Sequence, residues 1–504
     1  METNIMHRDS FDLFVIGGGI NGVGIAADAA GRGLKTGLCE QGDLGGGTSS
    51  NSTKLIHGGL RYLEHYEFRM VKEALAERDV LSKIAPHITW PMRFCLPHRP
   101  GLRPAWMVRA GLFLYDHLNL KDALPGSHGV CLGHSSPLQD KFTRGFEYSD
   151  VWVDDARLVV LNALQAKKYG ASIHVQSRAV NAVREKQGWR ITIHHQADNS
   201  TEEVTAKVLV NAAGPWVASV YDHCLKRSPP RKIRLVKGSH IIVHRFHDDL
   251  RSYILQHDDK RIVFVIPYLK DYSLIGTTDI AFMGDPYQAK CSGKETDYLC
   301  HAVNQHFKQR ISPEKVIHSY SGVRPLMEDE SAALQKISRD YTITREGQGN
   351  TPPLLSVFGG KLTTYRKLSE QVVDKVSDIF PTMGESITKK ALLPGGDGVA
   401  SVAEWENRLL SEYPWLPEMM ARRFGHCYGS LVRHFLQGKQ SVDSLGHNFG
   451  HGLTQSEVDY LVKHEWAQNA DDILWRRTKL GLMFSDEEVK LLVDYLVGLK
   501  AHKE

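Results

Sequence analysis

The chain lacks most of the features that narrow a sequence quickly. Its seven cysteines (Cys39, Cys95, Cys131, Cys224, Cys291, Cys300 and Cys427) are odd in number, scattered and never spaced C-x-x-C. That argues against a disulfide framework and a zinc site, and they read as reduced thiols. No run of about 18 uninterrupted apolar residues occurs, since charges such as Arg109 and Asp116 break the best candidate, so a spanning helix is not expected. Residues 1–9 are polar, and the first apolar run leads into a glycine turn rather than a cleavage site, so no export signal is expected. Neither sign of charge dominates: 62 basic side chains face 58 acidic ones, a balance that gives no reason to expect a nucleic-acid partner. Repeats and low-complexity segments are missing, which removes solenoids. The 25 histidines show no pair at metal-site spacing on a helix, so no metal is expected.

What is present begins at residue 11. Residues 11–16 read as a buried strand, 17–19 as a tight turn, 21–32 as a helix ended by Gly33, and 36–39 as a second strand. Gly17-x-Gly19-x-x-Gly22 thus follows a strand and opens a helix, with Glu40 about 20 residues further on, the context a dinucleotide site requires. The glycines let backbone approach a pyrophosphate, the helix N-terminus supplies N–H groups and partial positive charge, and Glu40 can accept from a ribose. This unit does not choose between FAD and NAD.

Further segments extend the pattern. Residues 48–65 (TSSNSTKLIHGGLRYLEH) set hydroxyl groups, Lys54 and His57 soon after Glu40, a polar strip suited to a cofactor that extends further. Residues 208–217 (VLVNAAGPWV) and 357–369 (VFGGKLTTYRKLS) are strands leading into small-residue turns, the second opening another helix. A helical segment at 67–83, with Val71, Leu75 and Leu81 on one face, precedes a Pro- and Arg-rich stretch at 86–104 that reads as a domain excursion. Asp154 and Asp155 start a helix that Gly170 stops, short strands follow to residue 210, and from Arg234 the strands suggest a second, antiparallel sheet. Helical periodicity takes over after the break at residues 394–396. The expected architecture is α/β, α+β overall: a Rossmann-like domain of discontinuous segments (1–85, 151–225 and 321–385), an excursion at 86–150, an antiparallel-sheet substrate domain at 226–320 and a helical C-terminal domain at 386–504.

At these residues the chain resembles the FAD-dependent glycerol-3-phosphate dehydrogenase family, in its bacterial aerobic, membrane-associated form. The resemblance rests on IGGGINGVGIAADAAGRG (16–33), SSNSTKLIHGGLRYLEHYEFR (49–69), RGFEYSDVWVDDARLV (144–159), KGSHIIV (237–243), YSGVRPL (320–326), GGKLTTYR (359–366) and DDILWRRTKLGL (471–482), and so spans nearly the whole chain. Ser369 departs from the Ala usual in the family pattern. The resemblance implies oxidation of glycerol 3-phosphate, with hydride passing to FAD and electrons to quinone, by a homodimer on the cytoplasmic side of the inner membrane. It implies cofactor contacts from Gly17, Gly19, Asn21, Gly22, Glu40, Thr48, Ser49, Ser52, Lys54, Leu55, Gly58, Val180, Gly214, Gly360, Leu362 and Thr363. Arg61, Tyr62, Arg324, Arg339 and Lys361 are the implied substrate pocket, guanidinium forks suiting a phosphate.

His57 is the first candidate for the base that takes the C2 hydroxyl proton, with His240 second, and Arg324 could assist at the same hydroxyl. Residues 102–118 (LRPAWMVRAGLFLYDHL) mix Trp106, Met107 and Phe113 with Arg103 and Arg109, the content of a helix lying in a membrane surface. Rival readings are a glycerol-3-phosphate oxidase using O₂ and a non-catalytic flavoprotein. A pocket rich in Arg and Lys does not suit a cationic amine.

Overall fold

The computed structural model describes residues 9–99, 103–119, 124–257, 259, 261–327 and 341–501. Within them the chain builds two sheets side by side and a helical C-terminal unit.

The first sheet follows from short strands whose central residues are apolar and buried on both faces. Ser10–Ile16 pairs in parallel with Thr36–Cys39 on one side and Thr201–Asn211 on the other. Ser172–His174 and Leu354–Phe358 extend the parallel set outward. Alternation along the first strand sends Leu13 and Val15 into one core and Phe14 and Ile16 into another. Helices Ile20–Gly31, Asp155–Lys168 and Tyr365–Asp374 cover the first face. Strands Ser177–Arg184 and Trp189–His195 form an antiparallel extension that packs Trp189, Ile191 and Ile193 over the second. Helix Asp155–Lys168 starts as its sequence dictates: the Asp154 carboxylate accepts from the Arg157 N–H at 3.0 Å, and Gly170 ends it at φ +92°.

The second sheet centres on Ile233–His244, antiparallel to Val316–Met327 and to Tyr272–Gly276. Ile262–Tyr268 and Ser252–Gln256 continue the meander. The excursion then joins it. Thr89–His98 pairs in parallel with Ser252–Gln256 and antiparallel with Arg144–Val153, so the Pro-rich stretch read as a break carries a ten-residue strand. The sheet is therefore mixed, with one parallel pair inside an antiparallel framework, and Val316–Met327 carries it across the expected boundary at 320.

The C-terminal unit has its own apolar core, built by helices Val402–Glu412, Glu418–Tyr428, Gln455–His464 and Asp486–Ala501 around Trp405, Phe424, Tyr428 and Leu461. Helix Ala105–His117 leaves Trp106 (70%), Phe113 (55%), Met107 and Leu114 exposed. Among the described residues no helix is long and apolar enough to cross a membrane.

Candidate functional site

A cavity of about 1010 Å³ lies where the two sheets meet, at the C-terminal end of the first strand, and it is large for a small-molecule site. The glycine turn forms its floor. Gly17 sits at φ +111°, where a side chain would be strained and its Cβ would meet Ala212 O at 2.7 Å. Gly19 precedes the first helix, and the Ser49 hydroxyl accepts from the Ile20 N–H at 3.0 Å. Glu40 closes one end: its carboxylate accepts from the N–H of Gly18 at 2.6 Å and of Gly42 at 2.8 Å. Burial raises the Glu40 pKa and those two donors pull it back, leaving it above the usual carboxylate range. Trp216 and Tyr287 stack beside it with ring centroids 4.3 Å apart, Trp216 donating to Asp285 at 3.1 Å and Tyr287 to Glu40 at 3.4 Å.

The far end is cationic. Lys361 lies 3.9 Å from the ring centroid of Tyr62, and both line the cavity with His57 and Arg324. The backbone N–H of His57 donates to the Thr363 hydroxyl at 3.4 Å, and its ring meets Phe264 edge-on. Arg324 projects from Val316–Met327 and donates to Asp279 at 2.5 Å and Thr277 at 3.2 Å. The loop carrying those partners is itself anchored, because Thr278 and Ser239 donate to the buried Glu295 at 2.9 and 2.7 Å and Lys237 pairs with it at 2.7 Å. Burial opposes ionisation of Glu295, yet Lys237 and the hydroxyl and amide donors outweigh it and hold its pKa at about 2.

Of the residues expected from the sequence, Gly17, Gly19, Asn21, Glu40, Thr48, Ser49, Ser52, Leu55, His57, Tyr62, Gly214, Arg324, Gly360, Lys361, Leu362 and Thr363 all line this one cavity. Five do not. Gly22 serves packing, since a Cβ there would lie 1.8 Å from Gly17 O. The Lys54 ammonium is engaged by Asp155 at 2.7 Å and the Ser50 carbonyl at 3.0 Å, beneath the polar strip rather than on it. Gly58 donates to the Tyr115 hydroxyl at 2.8 Å behind the wall. Val180 sits at a bulge and is 38% exposed, while its neighbour Ala179 lines the cavity. His240 is buried behind Thr53, 2.9 Å from its hydroxyl, and stacks on Tyr320. Burial, then the charges of Arg324 and Lys54, push its pKa well below the ordinary histidine value. The side chain of Arg61, in the turn Leu60–His65, and all of Arg339 lie outside the described residues. Thr277 and Tyr287 are cavity residues that the sequence does not single out, and Thr53 and Trp216 are marked only as members of the 48–65 and 208–217 segments. No local spacing marks them, since each comes from a different part of the chain.

The cavity fits a dinucleotide that carries a further ring system. Glu40 lines the cavity where it would accept from a ribose, the glycine turn offers backbone where any side chain would intrude, and the Oδ1 of Asn21 is buried without a protein partner. A cofactor-dependent oxidoreductase is the class this arrangement defines.

The model of the FAD dependent oxidoreductase family matches residues 12–366, and that of the C-terminal domain of alpha-glycerophosphate oxidase matches 386–496. A glycerol-3-phosphate dehydrogenase of Pseudomonas aeruginosa is 53% identical over 98% of this chain and 96% of its own length. A D-erythritol 1-phosphate dehydrogenase of Brucella abortus is 48% identical over 97% and 98%. The solved glycerol-3-phosphate dehydrogenase of Bacillus halodurans, complexed with FAD, superposes with a TM-score of 0.73 at 26% identity, covering 97% of this chain and 94% of that one. The chain belongs to the FAD-dependent oxidoreductase family, and its cofactor is FAD.

Proposed function

We propose that this enzyme oxidises sn-glycerol 3-phosphate to dihydroxyacetone phosphate and passes the electrons to a membrane quinone. The observation that carries the substrate is the cationic end of the cavity, where Arg324 and Lys361 share a wall with His57. A phosphate held by a guanidinium fork and an ammonium fixes one end of a three-carbon chain, and so fixes which carbon meets the cofactor. FAD, when bound along this cavity, would supply the two-electron acceptor for a hydride from C2.

The protein does the rest. His57 is assigned the hydroxyl proton, since it lines the cavity whereas His240 is sealed behind Thr53. Thr53, which does reach the cavity, is held at 2.9 Å by His240 and so presents an oriented hydroxyl. The turn at 359–363 would lie against the ring edge that gains negative charge on reduction. The exposed Trp106, Met107, Phe113 and Leu114, with Arg103 and Arg109 nearby, support contact with the cytoplasmic face of a membrane, where quinone is reached. On this reading the enzyme is a peripheral homodimer.

Anaerobic titration of the holoenzyme tests the assignment. Bleaching of the flavin by glycerol 3-phosphate but not by glycerol, and reoxidation by quinone faster than by O₂, are the expected results. Stronger reduction by erythritol 1-phosphate would move the substrate to a longer polyol phosphate, and faster reoxidation by O₂ would make the enzyme an oxidase. A flavin left oxidised by every polyol phosphate would overturn the reading.

A further inference from the structure

Among the described residues the C-terminal unit contributes none to the cavity, yet one short segment of it reaches Asp43, in the loop that follows Glu40. Residues Asp472–Arg477 form a buried π-helical turn, a geometry that recurs where side chains must be re-aimed for function. It points two guanidinium groups at one carboxylate. Arg477, fully buried, donates twice to Asp43 at 2.7 Å, and Arg476 donates to the same carboxylate at 2.5 Å.

Both arginines are braced from behind. Arg477 also donates to the Glu465 carbonyl at 2.7 Å, the Glu465 carboxylate pairs with the buried Arg157, and Arg476 donates to Asp472. The flanking residues grip the other two parts of the molecule: Trp475 stacks on His318 of the second sheet at 4.1 Å, and Lys479 pairs with Asp154 at 2.8 Å.

Asp43 does not line the cavity, but its neighbours do. The loop 42–47 supplies Gly42, Gly45, Gly46 and Gly47 to the cavity wall. Backbone bonds hold it at several points: Gly46 N–H to Asp43 O at 2.9 Å, Gly45 N–H to Gly18 O at 3.0 Å, Gln176 N–H to Gly42 O at 3.0 Å and Ser50 N–H to Gly45 O at 3.2 Å. Four of the six residues in this loop are glycine, so its conformation depends on these backbone bonds and on its two side chains, the buried Leu44 and Asp43. Burial works against ionisation of Asp43, and Arg477 with Arg476 outweighs it, so the anchor stays charged.

We propose that Arg476 and Arg477 are positioning residues for FAD: by gripping Asp43 they set the loop 42–47 against which the cofactor lies, and they make cofactor retention depend on the C-terminal unit. The basic pair in the RRTK run is thereby given a task that the chemistry at the other end of the cavity does not explain.

The test measures flavin affinity rather than turnover. Full-length protein is stripped of FAD and rebinding is followed by flavin fluorescence for wild type, Asp43→Asn, Arg477→Gln and Arg423→Gln. Arg423 donates to Glu457 and the Gly452 carbonyl inside the C-terminal unit, so its loss weakens that unit without touching the loop. Asp43→Asn and Arg477→Gln are expected to raise the FAD dissociation constant about 10- to 100-fold, the usual scale for groups that orient a ligand's direct contacts. Arg423→Gln is expected to lower the melting temperature with wild-type FAD affinity. If Arg477→Gln does not fold, the near-isosteric Asp43→Asn carries the comparison. FAD affinity within about twofold of wild type in the Asp43 variant, or an equal loss in Arg423→Gln, would overturn the proposal.

Discussion

Replacing Arg324 by Ala removes the group on which the phosphate assignment leans most. The guanidinium is a quarter exposed and is held by Asp279 and Thr277, packed against Gly238, where a Cβ would lie 2.5 Å from it. A unit charge about 4 Å away interacts with it by about 4 kcal/mol at an effective dielectric near 20. A phosphate carries more than one such charge, while competition from Asp279 and water at the exposed quarter both reduce the gain. The net loss expected for Arg324→Ala is about 2–4 kcal/mol, or about 30- to 1000-fold in kcat/KM.

The assay is anaerobic flavin reduction across a range of glycerol 3-phosphate, read in parallel with the melting temperature and FAD content of each variant. The defect should be confined to flavin reduction, and Arg324→Lys should recover only part of it, since an ammonium keeps the charge but loses the fork. A loss below about 1 kcal/mol, the scale of an exposed ion pair, would remove Arg324 from the phosphate site. A matching fall in melting temperature or FAD content would show that the residue holds the cavity wall rather than the substrate.

His57→Asn is expected to slow flavin reduction by about 10²- to 10⁴-fold, the usual yield of a positioned base, and His240→Asn by less. The reverse order would hand the proton to the Thr53–His240 pair. The buried histidines also predict acid sensitivity. His87, pushed from 6.5 to about 3 by burial, and His306, to about 4, stay neutral in the folded protein while the unfolded chain takes up protons below pH 6.5. Stability should therefore fall as the pH drops from 6.5 toward 3, with a ceiling of about 5 kcal/mol from His87. Melting temperatures across that window should show it, and His87→Gln should flatten the slope; an unchanged slope would refute the assignment.

The glycine turn and Glu40 were legible because their spacing is local: a strand, three glycines and a carboxylate fall within about 30 residues and have one physical purpose. The polar strip at 48–65 was only half legible. Composition marked it, but not which members turn inward, so Ser49 and Thr48 face the cavity while Lys54 dives to Asp155. The burial of His240 was not legible for a related reason. Alternation along a strand gives two faces without saying which one another segment covers, and Thr53 covers this one. Trp216 and Tyr287, 71 residues apart in number, meet only because the two sheets sit side by side, and no window of sequence contains both.

The order in which the strands are laid down has a consequence for how the protein is made. The first parallel sheet takes Leu354–Phe358 beside Thr201–Asn211, so its last parallel strand leaves the ribosome long after its first. The second sheet likewise waits for Val316–Met327 to complete Ile233–His244. Pairings this distant in sequence form slowly, and the edges they will cover stay open meanwhile. The nascent chain thus carries unfinished strand edges through most of its synthesis, and the flavin pocket closes only once nearly three quarters of the residues have emerged.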